Sequence, residues 1–146
     1  MGLPFKIAIK AYDEKETSQL IKLAELNKKN LPTTAIQAGN LTELCTRLNK
    51  LRKAWGKPMI ITSGLRSEGQ QANLIKSGQS TATKSKHLLG LAADISDPDG
   101  ALDDWLEKNV KLLEEIGLWI EHKSATPTWA HIQICPPKSG RRFFKP

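Results

Sequence analysis

Apolar residues recur along this chain at helical spacing in its long segments and as brief alternating or continuous runs in its short ones. Leu41, Leu44, Leu48 and Leu51 fall three or four apart and line one face of a helix. Asn40 and Glu43 make the Asn-x-x-Glu capping-box pattern at its start, and Gly56-Lys57-Pro58 ends it. Leu102, Trp105, Leu106, Val110, Leu113 and Ile116 repeat the spacing. They predict one helix between the turn Asp97-Pro98-Asp99-Gly100 and the stop at Gly117. An earlier helical segment opens on Asp13, Glu14 and Glu16, carries Leu20, Leu23 and Ala24, and closes on Lys28 and Lys29 before Pro32. Acid first and base last is the order the helix dipole favours. A short helix, Glu68 to Lys76, has Ser67 as its cap.

The strand pattern is briefer. Phe5 to Lys10 alternates apolar and polar, which suits a short strand or extended arm. Met59 to Thr62 and Leu91 to Ile95 read as buried strands, and Leu118 to Glu121 and Trp129 to Cys135 as a hairpin around Pro127. Ser63 to Ser67 is a turn, and Gly78 to Lys86 a polar loop. The fold class is α+β, with helices packed on one face of a small, mainly antiparallel sheet. No repeat, low-complexity tract or linker divides the chain, so residues 1–146 are expected to form a single domain, and a monomer.

Composition narrows the function. No apolar run approaches the ~18 residues that cross a bilayer, and the N-terminus carries neither an apolar signal core nor a myristoylation pattern. Cys45 and Cys135 are too few for a disulfide framework and read as ordinary buried thiols. The net charge of +7 is unevenly spread. Residues 1–96 hold 15 basic and 7 acidic side chains, residues 97–121 hold 2 and 8, and residues 122–146 hold 5 and none. A basic body favours a polyanionic partner. Nucleic acid is not expected, because no recognition-helix or zinc-finger pattern is present and only 5% of residues are aromatic for base stacking.

The chemistry gathers around histidine. In Ser85-Lys86-His87-Leu88-Leu89-Gly90-Leu91-Ala92-Ala93-Asp94, His87 enters a strand and Asp94 lies inside it. A carboxylate among alanines and Ile95 is costly to bury unless it is paired or binds a metal. Imidazole plus carboxylate, with a third N or O ligand, is a zinc set that leaves one position open. Strand parity chooses the third. In the last hairpin, Ala130, Ile132 and Ile134 point to the helices, while Trp129, His131 and Gln133 point to a cleft. On the partner strand Leu118, Ile120 and His122 take the core side, and Trp119 and Glu121 the cleft. His131 and Glu121 therefore share the cleft face, and His122, at the strand end, is a surface residue.

The run Ser85–Asp94, preceded by Ser63-Gly64-Leu65-Arg66-Ser67 and followed by Trp129-Ala130-His131, resembles the zinc D-Ala-D-Ala carboxypeptidase and L-alanyl-D-glutamate endopeptidase family, which shares its fold with the hedgehog signalling domain. The likeness runs from about Asn40 to the tail Pro136–Phe143, which resembles small members from phages or bacterial genomes. It implies zinc on His87, Asp94 and His131. It implies that Arg66 meets a substrate carboxylate or the developing oxyanion, and that Ser85 hydrogen-bonds near the metal or the substrate. Many members carry Glu or Asp three residues before the last histidine; here that position is Thr128. Glu121, on the cleft face and one strand back, is the replacement base, and hedgehog-like relatives also carry a glutamate on that strand.

The function expected is a zinc peptidase that cuts a bond in the stem peptides of bacterial peptidoglycan. Arg66, Ser85, Trp129 and Gln133 would bind substrate, and the basic surface would favour the anionic envelope. Such a chain would be made in the cytoplasm and reach the wall after release, or travel in a virion. The alternative is a noncatalytic zinc module of the hedgehog kind that binds envelope or protein.

Overall fold

In a computed structural model the structure describes residues 20–78 and 85–146. The predicted arm Phe5–Lys10, the acids Asp13, Glu14 and Glu16, and most of the polar loop lie outside those residues. The order of elements is a 3-10 turn Leu23–Asn27, helix α1 Ala35–Trp55, strand β1 Ile61–Ser63, helix α2 Glu68–Lys76, a 3-10 turn Lys86–Leu89, strand β2 Ala92–Ser96, helices α3 Ala101–Lys108 and α4 Val110–Ile116, strand β3 Trp119–Glu121, a 3-10 turn Lys123–Ala125, strand β4 Trp129–Gln133 and strand β5 Phe143–Phe144. The strands form one sheet in the order β1-β2-β4-β3-β5. Its first three contacts are antiparallel, and β5 runs parallel to β3. The expected α+β architecture is what forms, with the hairpin extended by a fifth strand that the sequence did not announce.

The leucine stripe of α1 is buried as its spacing requires: Leu41, Leu44, Leu48 and Leu51 are all nearly inaccessible. They pack with Leu102, Leu106 and Leu113 against Ala93, Ile95, Ile120, Ala130 and Ile132 of the sheet. Ile120, Ala130 and Ile132 have the parity assigned to the core side, and Ala93 and Ile95 join them, so the opposite pleat face is left for chemistry.

Three sequence expectations change. α1 starts at Ala35, capped by Thr34 in a reciprocal box with Gln37, rather than at Asn40. Asn40 lies inside the helix and donates its amide to the Leu89 carbonyl, and Glu43 pairs with Arg47 one turn on. The Asn-x-x-Glu pattern therefore marks one tertiary contact and one pair within the helix, and not a terminus. The segment before Pro32 is, in its described part, a 3-10 turn and not an α-helix. The long helix from Leu102 to Ile116 is two, broken at Asn109. The Asn109 side chain donates to the Trp105 carbonyl at 2.8 Å, the acceptor its own backbone N–H would have used. That N–H turns to Leu106 instead, which is how asparagine competes with a helix ladder. The apolar stripe survives the break because both pieces keep the same face inward.

Cys45 and Cys135 are free and only half-buried. Among the described residues no helix is long and apolar enough to cross a membrane.

The α3 terminus carries a pH dependence. Asp97 accepts the backbone N–H of Leu102 and of Asp103, each at 2.9 Å. Asp103 is buried against it, and burial first, then the charges of Asp97 and Glu107, push its pKa up to about 7, with Lys123 pulling the other way. The unfolded chain releases this proton near pH 4 and the folded chain holds it, so its contribution to stability is full below pH 4 and is lost as the pH rises to about 7. Asp103→Asn is expected to raise the melting temperature at pH 8 by ~3 °C, about 1 kcal/mol, and to change it far less at pH 4. Thermal melts at the two pH values check this; equal shifts would show that Asp103 does not titrate in the window.

Candidate metal centre

The site is built on one row across the sheet. Ser63 of β1 is opposite Asp94 of β2, and Asp94 is opposite His131 of β4. On β3, Trp119 pairs with Gln133 and Ile120 with Ile132, which brings Glu121 level with His131. Residues level with one another on neighbouring strands share a face. The row Ser63, Asp94, His131, Glu121 thus stands on the face opposite the helices.

His87 enters from outside the sheet, on the 3-10 turn Lys86–Leu89. Ser85 caps that turn by accepting the His87 N–H at 3.2 Å, and this is the role the structure gives its hydroxyl. Gly90 ends it with φ of +74°, a left-handed conformation that glycine adopts without strain. Gln37 and Asn40 of α1 hold the turn by donating to the Leu88 and Leu89 carbonyls. The Ser63–Ser67 segment clasps it from the other side. The Gly64 carbonyl is 2.9 Å from His87 Nδ1, and the Arg66 N–H donates to the His87 carbonyl at 3.1 Å. Position 64 must be glycine, because a Cβ there would lie 2.3 Å from the Leu26 carbonyl oxygen.

These supports leave three atoms converging. His131 Nδ1 is 2.9 Å from Asp94 Oδ1, and His87 Nε2 is 3.3 Å from the same oxygen. All three residues are buried, and the ligand atoms lie within 4.8 Å of one another. Donors ~2.0–2.2 Å from a tetrahedral zinc are ~3.3 Å apart, so the spacing fits that ion. The outer nitrogens fit it too. His87 Nδ1 faces the Gly64 carbonyl, and His131 Nε2 faces Gln133 Oε1 at 3.0 Å. Each acceptor takes the N–H and leaves the inward nitrogen unprotonated, as a metal ligand must be. Gln133 is itself turned by donating to the Cys135 carbonyl at 2.8 Å. Its amide oxygen faces His131, so the structure gives Gln133 a supporting part at the site.

Arg66 is also drawn inward. Its guanidinium donates to Asp94 Oδ2 at 3.2 Å, to Ser63 Oγ at 3.0 Å and to Gln71 Oε1 at 3.1 Å. This holds one oxygen of Asp94 and leaves Oδ1 for the imidazoles. Gln71, buried on α2, had no sequence signal; a glutamine in a short helix looks like any surface residue.

Electrostatics follow the packing. Burial by itself would raise the Asp94 pKa, but the hydrogen bonds and charges of His131 and His87 outweigh it and hold the carboxyl well below the usual range. For His131, burial disfavours the charged form, yet Asp94 reverses this and the pKa lies above that of free histidine. Glu121 Oε2 is 3.9 Å from His131 Nδ1. Burial raises its pKa, with His131 pulling down, Asp94 pushing up, and the net shift upward.

The remaining candidates fall at the margins. His122 is apart from the cluster, its Nδ1 2.7 Å from Ser124 Oγ. Trp129 is half-buried two residues before His131 on the same face. Thr128 is exposed and contributes its carbonyl to the Asp97 N–H. Phe144, which sequence reading left in the tail, stands edge-on to the His131 ring with centroids 6.2 Å apart.

Comparison with known proteins gives a fold and a family. No curated protein sequence matches the chain. Among solved structures, the chain is similar to the L-Ala D-Glu endopeptidase ChiX of Serratia marcescens, at 22% identity and a TM-score of 0.50, over 72% of this chain and 90% of that one. That likeness is one of fold. A sequence model of the family Peptidase M15 matches residues 19–123, which include Arg66, His87, Asp94 and Glu121. The match spans well over half of the chain, and the chain belongs to the Peptidase M15 family.

Proposed function

We propose that the chain is a single-domain zinc peptidase that hydrolyses a peptide bond in the stem peptides of bacterial peptidoglycan. The observation that carries this is the convergence of His87 Nε2, Asp94 Oδ1 and His131 Nδ1 with a raised-pKa carboxylate, Glu121, beside them. Family membership supports hydrolysis of peptide bonds, and the activity named for ChiX supports peptidoglycan as the source of the peptide.

A zinc ion held by these three residues would act as a Lewis acid, acidifying water and polarising a carbonyl oxygen. Glu121 takes the proton from the attacking water and returns it to the nitrogen of the scissile amide, which leaves as an amine. The raised pKa suits both halves of that transfer. Arg66 fixes the Asp94 carboxylate and keeps further N–H groups for the oxyanion of the tetrahedral intermediate. Gln133 holds the His131 ring, and Ser85 holds the turn that carries His87.

The basic tail, with Lys138, Arg141, Arg142 and Lys145 and no acid after residue 121, favours the anionic wall. Purified sacculi test both parts of the reading. The protein is expected to sediment with them less as salt rises, since exposed charges are screened over ~8 Å at physiological ionic strength. With zinc it is expected to release fragments whose new termini, read by mass spectrometry, name the bond. Sacculi left without new termini would overturn the peptidase assignment, and zinc uptake in that case would leave the noncatalytic module.

A further inference from the structure

Arg142 has no part in the centre described above, yet the sheet carries it to the same face. β5 runs beside β3 with Ile120 opposite Phe143 and Glu121 opposite Phe144. Phe143 packs with Ile120 on the core side, and Phe144 shares the His131 side. Alternation then puts Arg142 on the His131 side, two residues or roughly 6.6 Å along the strand from Phe144. The same step separates Trp119 from Glu121, and Gln133 from His131. Trp119 is level with Gln133. A second row, Gln133, Trp119 and Arg142, therefore borders the row of His131, Glu121 and Phe144.

The guanidinium in that row is held at two points. Its carbon is 4.5 Å from the centroid of the Trp119 ring, and Nη1 donates to the Leu118 carbonyl at 2.9 Å. Among the described residues no carboxylate pairs with it, whereas Arg47 pairs with Glu43 and Arg66 with Asp94. The Leu118 bond uses Nη1 and leaves the side-on fork of Nε and Nη2. That fork matches the two oxygens of a carboxylate. Stacking has already restricted the side chain, so little further freedom is lost when an anion binds.

We infer that Arg142, clamped on Trp119, is a carboxylate-binding subsite that selects peptides bearing a free carboxylate close to the scissile bond. The inference rests on the peptidase reading and adds the feature of the substrate that one end of the cleft reads. Arg66 is placed otherwise: the Nε and Nη2 edge of its guanidinium is taken by Ser63 and Asp94, so that side-on fork is not open to a carboxylate.

The test uses two synthetic stem peptides that differ only in the D-glutamate α-group, free acid or amide. Each is titrated calorimetrically into the zinc-loaded Glu121→Gln protein, which is chosen to bind without cutting, and into its Arg142→Gln derivative. The acid peptide is expected to bind ~10–100-fold more tightly than the amide, the scale of hydrogen bonds to charged groups. Arg142→Gln is expected to erase that difference by weakening the acid alone. Arg142→Lys, which keeps the charge and loses the fork, is expected to keep part of it; it also answers if Arg142→Gln melts early. Equal weakening of both peptides, no preference in the parent, or no binding of either overturns the subsite. Failure of the peptidase reading looks different: wild-type protein leaves sacculi intact while the acid and amide peptides are still told apart.

Discussion

His131→Ala is expected to remove zinc and peptidase activity together. His131 supplies one of three ligand atoms, its Nδ1 2.9 Å from the Asp94 oxygen that supplies another. Loss of an outer-shell partner costs ~10–100-fold in metal affinity; loss of a ligand should cost more than that. The wild type is expected to carry about one zinc per chain, measured by elemental analysis, and the variant less than a tenth of an equivalent. His122→Ala is the control. His122 caps the separate 3-10 turn Lys123–Ala125 and engages Ser124, so its loss should leave zinc unchanged. Full metal in His131→Ala, or loss of metal in His122→Ala, would reverse the strand parity on which the site assignment rests. Circular dichroism of both variants separates metal loss from unfolding.

Glu121→Gln is expected to keep fold and zinc and to lose ~10²-fold or more in turnover, the usual scale for a general base. Glutamine preserves the size of the side chain and its ability to hydrogen-bond but cannot accept the proton. The position is argued from three observations. Thr128, where the family resemblance leads to the expectation of an acid, is exposed, and its hydroxyl cannot serve as a base. Asp94 is consumed by His87, His131 and Arg66. Asp97 and Asp103 are tied into the start of α3. The loss should fall on kcat with KM little changed, because the proton moves only in the chemical step. A variant of near-wild-type turnover would show that the proton goes elsewhere.

The elements most legible in the sequence were those set by local periodicity. The α1 stripe, the Ser67 cap of α2 with Gln70, and the Gly117 stop appear where the pattern put them. The errors share one origin. The local pattern reads Asn40 and Glu43 as a helix start and leaves Asn109 unremarked inside one predicted helix, but the use each makes of its polar group depends on its context. Asn40 holds the His87 turn 49 residues away, and Asn109 takes a carbonyl that the helix would otherwise have claimed. β5, only two residues long, offers no periodicity to read.

For the site, the division is sharper. Alternation along a strand is covalent geometry, so the sequence by itself determined that Trp129, His131 and Gln133 share one face, that Trp119 and Glu121 share one, and that Ala130, Ile132 and Ile120 face the helices. It also supplied the chemical types that suit a metal: imidazole, carboxylate, imidazole. Which residues stand level with which was decided only by tertiary structure. Register between Asp94 and His131, 37 residues apart, comes from pairing two strands over a common apolar core, and a slip of one residue would turn one of them away. The same long-range packing drew Arg66 onto Asp94, set Gln133 behind His131 and brought Arg142 over Trp119. A side chain's face follows from its own backbone, but its neighbours follow from strands that meet only when the whole core closes.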